Sequence, residues 1–419
     1  MDLKELRRLK PELESFLDRY APLFGRPEAQ GHARRFTQGL LLGGDRRSVE
    51  NIAEAIDGCV VRSLQTFITN APWDASAVLV ELRSQVADEW ADPDSVLAVD
   101  ETGFPKKGTK SVGVKRQYSG TLGRTDNCQV GVFLGYHGAK GHTLLDRRLF
   151  LPEEWAADGP RREAAGVPAG VIFRTKPELA LAMVADAAAA GLAFRWVTGD
   201  SVYGDSPTFC QGVRGLEKWY VLDSSADARV WTTEPVVIPP GRKPARGRAT
   251  TKPKVTTKPA RVDEVAAALP ASAWRRVTVA AGSQGPLIYE YAEVVAWFSE
   301  EGLPSGPERL LVRRSLGQEP EVKYHRTNAP AAVSLAVVAG IRSKRWSIEQ
   351  DFQNAKGECG LDEYETRGWV GWHHHTALSV LALWFLARQR DRSGGKKSGP
   401  ERARGAGVAA APARRAVVG

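Results

Sequence analysis

The sequence contains no C-x-x-C pair; its four cysteines, Cys59, Cys128, Cys210 and Cys359, are scattered along the chain. That pattern argues against a disulfide framework or a structural zinc and suits a reducing cytoplasm. Long hydrophobic runs are lacking too. The longest, at residues 331–341 and 376–387, fall short of the roughly 18 residues a membrane span needs. Residues 1–17 are heavily charged, unlike a signal peptide. No internal repeat is visible.

Acid is missing from one stretch: residues 240–262 carry eight Lys or Arg and no Asp or Glu. Residues 388–419 carry nine basic side chains against two acidic ones. These segments together hold a charge of +15, so with a net charge of +9 the rest of the chain stands near −6. A mildly acidic body with basic appendages fits a protein that meets polyanions through its arms. Solubilising tails share the same composition.

What is present is a globular composition. The 419 residues are 42% apolar and 26% charged, enough for several domains or one catalytic domain with insertions. Residues 1–92 have helical spacing, with Leu3, Leu6, Leu9, Leu13 and Phe16 recurring and Ser48 placed to cap a helix. Two short helices around Gly58 fit either a plain bundle or a helix-turn-helix reader with Arg46, Arg47 and Arg62 on its polar side. From Ser95 the texture becomes α/β. Strands are expected at 95–99, 112–119 and 128–136, then an Ala-rich helix at 177–191, a strand at 195–198, a helix at 208–213 and a strand at 219–222. A Pro- and Gly-marked excursion separates the first three strands from that helix. Residues 240–262 read as a loop, 276–280, 287–298 and 309–314 as further strands, and 331–390 as helical.

Two aspartates follow short apolar runs, in Leu97-Ala98-Val99-Asp100 and Trp196-Val197-Thr198-Gly199-Asp200. Strand ends in an open α/β sheet line one edge, so distant carboxylates converge there. Paired aspartates repel unless a cation neutralises them, and hard oxygen ligands favour Mg²⁺ or Mn²⁺. Two such ions suit in-line phosphoryl transfer. Residues 341–356 lack Pro and Gly and read as one helix, on which Arg342, Arg345, Glu349 and Lys356 share a face. A carboxylate among three cations makes sense if Glu349 binds metal while the cations grip phosphates; spaced surface salt bridges are the plainer alternative.

The sequence resembles the DDE transposases of bacterial insertion sequences, in the group whose third-carboxylate helix carries a Y-x2-R-x3-E-x6-K signature. Arg345, Glu349 and Lys356 match its R, E and K, while Arg342 stands at the Tyr position. Asp100 in Val-Asp-Glu-Thr-Gly-Phe and Asp200 in Gly-Asp-Ser-Val-Tyr-Gly match the family's first and second aspartates. The resemblance spans roughly residues 30–390. It implies a ribonuclease-H-like core with a β-rich insertion between the second Asp and the Glu, the interval in which a loop and strands are read above. It also implies that Asp100, Asp200 and Glu349 hold two Mg²⁺ (Mn²⁺ substituting), and that the protein cleaves and joins strands at transposon ends and target DNA, as a dimer on DNA. Such a protein works in the bacterial cytoplasm at the nucleoid.

The expected organisation is a helical DNA-binding region at 1–92, a core at 93–230, a β-rich insertion at 231–330, the helical last part of the core at 331–390 and a basic tail at 391–419. Expected DNA contacts are Arg342, Arg345, Lys356, Arg46, Arg47, Lys252 and Lys254. Glu101, beside Asp100, is left out of the triad because neighbouring strand residues face opposite sides. Asp205, Glu358, Asp362 and Glu363 are weaker substitutes for the triad. His373, His374 and His375 are consecutive on a helix and cannot chelate together. Trp231, Trp274 and Trp297 are candidates for base stacking, with core packing the alternative. Rival readings are a catalytically silent, transposase-derived DNA-binding regulator and a two-carboxylate glycosidase.

Overall fold

The computed structural model describes residues 3–42, 46–120, 123–240, 252–282 and 285–393. Residues 241–251 of the basic stretch and 394–419 of the basic tail lie outside the described residues.

Five helices precede the first strand: α1 (Leu3–Asp18), α2 (Pro27–Leu42), α3 (Val49–Ala55), α4 (Val61–Thr69) and α5 (Ala75–Trp90). Ser48 and Asp74 start α3 and α5 by accepting hydrogen bonds from Asn51 and Ser76 backbone N–H groups. The apolar residues of these helices close on the last helix, α14 (Trp369–Arg392), where Phe16 meets Phe385 and Trp90 meets Trp384 edge-on. One apolar cluster runs unbroken from these helices into the central sheet.

The sheet begins with β1 (Val96–Pro105), β2 (Lys115–Ser119), β3 (Arg124–Gly138) and β4 (Gly141–Phe150). Two short helices, α6 (Glu153–Ala157) and α7 (Gly159–Ala164), fill the Pro- and Gly-marked excursion before α8 (Lys176–Ala189). Then come β5 (Trp196–Gly199), α9 (Ser201–Gly204), α10 (Pro207–Gly215) and β6 (Trp219–Ser224). Short pieces follow: β7 (Arg229–Trp231), β8 (Val237–Ile238), β9 (Lys254–Val255), β10 (Ala260–Arg261) and α11 (Val262–Ala267). The β-rich interval holds β11 (Arg275–Gly282), β12 (Gly285–Glu300), β13 (Leu303–Pro304), β14 (Glu308–Arg314) and β15 (Val322–Thr327). Helices α12 (Leu335–Ser343) and α13 (Trp346–Cys359) lead to α14.

Thirteen of the described strands form one mixed sheet. Its middle reads β4-β3-β1-β5-β6, with β4, β1, β5 and β6 running one way and β3 the other. Beyond β6 the sheet continues antiparallel through β15, β14 and β12, so the β-rich interval extends the central sheet.

The fold is mixed α/β, as the element order predicts, but the short strands β7, β8 and β13, β9 and β10 inside the expected loop at 240–262, and two longer strands escape the sequence pattern. In β4, Asp146 and Arg147 are buried, and Asp146 pairs with buried Arg83 at 2.8 Å. In β15, His325 and Arg326 are buried in ionic networks. Buried charges interrupt the alternation by which strands are read. The single helix expected across 341–356 is also two, with Lys344 and Arg345 in the turn between α12 and α13. Backbone bonds from Lys344 to Ile341 and from Arg345 to Arg342 close that turn. It lets α12 pack on β11 and β6 while α13 packs on β3 and β4, a change of direction that one straight helix cannot make.

Candidate active site

Strand register builds the site. Ala98 of β1 pairs with Thr198 of β5, which pairs with Val221 of β6. Two residues further along stand three aspartates: Asp100 on β1, Asp200 just past the end of β5 and Asp223 on β6. Because side chains alternate with period two, these fall on one face at one level. Asp100 is not at a strand end, since β1 continues to Pro105 against β3; it lies just past the point where the parallel neighbour β5 stops pairing. Across β6, His325 of β15 is the direct partner of Asp223.

Arginines from the α12–α13 turn cover this row. Arg345 reaches Asp100 with Nη1 at 3.0 Å and Glu349 with Nη2 at 3.0 Å, and its Nε lies 3.9 Å from Asp223. Arg342 donates to Asp223 through Nε and Nη2 at 3.3 and 3.2 Å. Lys356 Nζ donates to Thr102 Oγ1 at 2.8 Å. Asp200 also caps α9, accepting from the Val202 N–H at 2.9 Å. Glu101, one residue past Asp100, follows the alternation to other partners, Lys176 Nζ at 2.6 Å and the Tyr203 hydroxyl at 2.8 Å.

Burial pushes the Asp100 carboxyl up to about 7; Arg345 opposes this and the Asp200 charge adds to it. Burial, with Glu101 adding, raises Asp200 to about 6 against the pull of Arg345. Asp223 behaves oppositely: burial would raise it, but the hydrogen bond from His325 and the charges of Arg342 and Arg345 hold it well below the usual carboxylate range. Two desolvated carboxylates crowded together call for a cation. The Arg345 guanidinium, bridging Asp100 and Glu349, shows that positive charge fits between them. With Arg345 between these carboxylates, no group of three or more His, Cys, Asp or Glu among the described residues stands in metal-holding geometry.

A pH dependence follows from Asp100. In the unfolded chain this carboxyl titrates near 3.9. Below that pH both states are protonated and burial costs nothing. As pH rises from about 4 through about 7 the protein without divalent ions loses that stability, by no more than about 4 kcal/mol. Asp100→Asn escapes the loss, so its stability advantage over the wild type is expected to grow between pH 5 and pH 8 in urea melts with EDTA. An advantage that does not change with pH would refute this account.

Gly204 ties the second aspartate's loop to β6. A Cβ there would sit 1.8 Å from the Asp223 carbonyl oxygen, a backbone atom with no freedom to yield. Gly204→Ala should push α9, and Asp200 with it, off β6 at a cost of about 1–3 kcal/mol. An unchanged thermal midpoint would show that the loop relaxes instead.

The other expected contacts divide. Lys252 and Lys254 are exposed on the segment next to residues 241–251. Arg46 is exposed and paired with Glu365. Arg47 is a correction: it is buried, and its guanidinium donates to the Leu40 and Gly357 carbonyls and to Glu363. It clamps the N-terminal helices onto the end of α13 and presents no surface to DNA. The face expected to be shared by Arg342 and Glu349 is a second correction, since the helix break places Arg342 on α12 and Glu349 on α13. His374 stacks on Trp73 with ring centroids 3.7 Å apart, and His375 Nε2 hydrogen-bonds the Gly360 carbonyl, so both are packing residues. Trp231 is buried, with its indole N–H on the Thr257 carbonyl, and Trp274 lies under the Arg314 guanidinium. Sequence reasoning missed Asp223. The available signal was its position as the fifth residue of β6, level with Asp200 just past β5, but parallel register is not readable from a single strand.

The family model described as DDE superfamily endonuclease matches residues 19–286, well over half of the chain, a span that includes Asp100 and Asp200 and ends before Glu349. Over 166 residues, 38% of the chain, the sequence is 32% identical to the probable transposase for insertion sequence element IS701 of Microchaete diplosiphon. That match spans 40% of the relative's length.

Proposed function

The chain belongs to the DDE superfamily endonucleases, and we propose on that basis that it is a DNA transposase. It binds the terminal inverted repeats of its element, cleaves the strands there and joins the freed 3′ ends to target DNA. The observation that carries this reading is the meeting of Asp100 from β1 and Glu349 from α13 on one guanidinium, with Asp200 at the end of β5, the strand beside β1. The order β4-β3-β1-β5-β6, with β3 alone antiparallel to the other four strands, supports a ribonuclease-H-like core for it.

Asp100, Asp200 and Glu349 would hold two Mg²⁺. Bound there, the ions would activate a water or a 3′-hydroxyl and stabilise the leaving oxygen during in-line displacement. Arg345 would turn from the carboxylates to a phosphate oxygen, with Arg342 beside it, as a planar guanidinium suits bidentate phosphate contact. Lys356, half-buried on α13, would add a point charge from the far side of Glu349. The exposed Lys252 and Lys254 would follow the DNA backbone outside the site, giving an affinity that falls with salt. Two copies of the chain would hold the two ends together.

The test is Mg²⁺-dependent cleavage of a duplex carrying the element's own end. Cleavage that disappears with EDTA and in Glu349→Gln is expected. Tight, end-specific binding without any cleavage would overturn the reading in favour of a DNA-binding regulator.

A further inference from the structure

A further basic surface stands on the described part of the chain. Residues 106–125 carry six Lys or Arg and no Asp or Glu. They form the turn after β1, the edge strand β2 and the start of β3. Side chains alternate across this hairpin, and its two faces differ. On one face Lys115 pairs with Glu154 at 2.7 Å and Arg124 with Asp126 at 2.9 Å. On the other, Arg116 stands opposite Asn127 and Tyr118 opposite Thr125. Arg116 is exposed, and so is most of Tyr118.

The turn is pinned to that second face. The Asn127 side chain donates to the Lys106 and Gly108 carbonyls at 2.7 and 2.8 Å, which brings the turn bearing Lys107 alongside Arg116. Further on, Arg161 donates to the Thr109 carbonyl and the Val112 N–H to the Arg367 carbonyl, both at 2.9 Å. Lys106 turns inward onto the Tyr364 carbonyl, while Lys107 and Lys110 stay exposed. Among the described residues no ion pair involves Lys107, Lys110 or Arg116. Like charges held together by a pinned turn repel, and a polyanion relieves that repulsion.

Register ties this face to the candidate active site. Asp100 pairs with Phe133 of β3 and Arg116 with Asn127 of the same strand. Those two β3 residues are an even number apart, so Asp100 and Arg116 lie on one face of the sheet. β1 runs on from Asp100 to Pro105. At ~3.3 Å per residue the basic turn follows Asp100 by about 20 Å. A duplex rises ~3.4 Å per base pair, so that distance is about six base pairs.

We propose that Lys107, Lys110 and Arg116, with the Tyr118 hydroxyl, hold the phosphate backbone of duplex DNA about six base pairs from the strand position bound at Asp100. Contacts of this kind fix where a duplex lies and carry no sequence information, so the surface is blind to sequence. The inference rests on the reading of the site as one that acts on DNA, and it holds whichever ions the triad binds.

The test is duplex binding by the full-length protein in EDTA across a salt series, followed by fluorescence anisotropy. Each phosphate contact contributes about 0.9 to the slope of log affinity against log salt, so Lys107→Ala/Lys110→Ala/Arg116→Ala is expected to lower the slope by about 2–3. The loss should be equal on a duplex carrying the element's end and on one of unrelated sequence. Lys107→Arg/Lys110→Arg/Arg116→Lys keeps the charges and should bind like the wild type. A hydroxyl-radical footprint on the end duplex should show protection about six base pairs from the position of cleavage, lost in the alanine variant. An unchanged slope in the folded alanine variant would overturn the proposal. So would a loss confined to the end sequence, which would make the surface a base reader. Wild-type protein that binds neither duplex would instead remove the reading of the site as one that acts on DNA, and this inference with it.

Discussion

Glu349→Gln should lower Mg²⁺-dependent cleavage by at least about 10³-fold, roughly 4 kcal/mol of barrier, while leaving DNA binding and thermal stability close to wild type. The substitution keeps the length of the side chain and removes its charge, so a hard divalent ion loses an anionic oxygen. Two features make the fold insensitive to it. The Glu349 side chain is half exposed, and its ion pair with Arg345 spans one helical turn at the surface, worth less than about 1 kcal/mol. A structural role would predict the reverse, a lowered melting point with cleavage scaled to the folded fraction. Cleavage within tenfold of wild type in the folded variant would remove Glu349 from the mechanism.

The largest stability effect is expected at Arg326→Met, about 3–5 kcal/mol in urea unfolding. Arg326 is buried beside two buried glutamates, donating to Glu308 through Nε at 2.9 Å and to Glu300 through Nη2 at 3.0 Å. Its Nη1 also donates to the Gly204 carbonyl at 3.0 Å. Arg214 shares both glutamates but is itself only part-buried. Removing Arg326 leaves two interior carboxylates to one cation, and the cost is that of the unpaired charge, not the worth of the pair. Arg326→Met/Glu308→Gln should therefore recover part of the loss. A double variant no more stable than the single would mean that packing against Phe298 dominates instead. Because Gly204 ends α9, which Asp200 begins, the same substitution should loosen the second aspartate.

Much of this architecture was legible from the chain alone. The short apolar runs before Asp100 and Asp200, the Ala-rich α8 and the paired strands at 275–300 announce themselves through local periodicity, which needs no knowledge of neighbours. The capping of α3 by Ser48 was readable for the same reason: a cap acts within four residues. Elements stabilised by distant charges were not legible. β4 and β15 read as polar because the partners of Asp146, His325 and Arg326 lie on α5, β6, β12 and β14. Arg47 looked like a surface cation because Glu363, its partner, comes 316 residues later.

By itself, then, the sequence determined the class of fold, the family and the order in which its motifs arrive, since each is written in spacing along one segment. Only the tertiary structure decided which carboxylates share a row. Parallel register sets Asp223 level with Asp100 and Asp200, and cross-strand pairing sets His325 against Asp223. Packing decided the break between α12 and α13, which turns Arg342 and Arg345 onto that row. The physical reason is common to all three. Side-chain period is a property of one strand or helix, whereas register and crossing direction are properties of a pair, set by whatever the two must bury together.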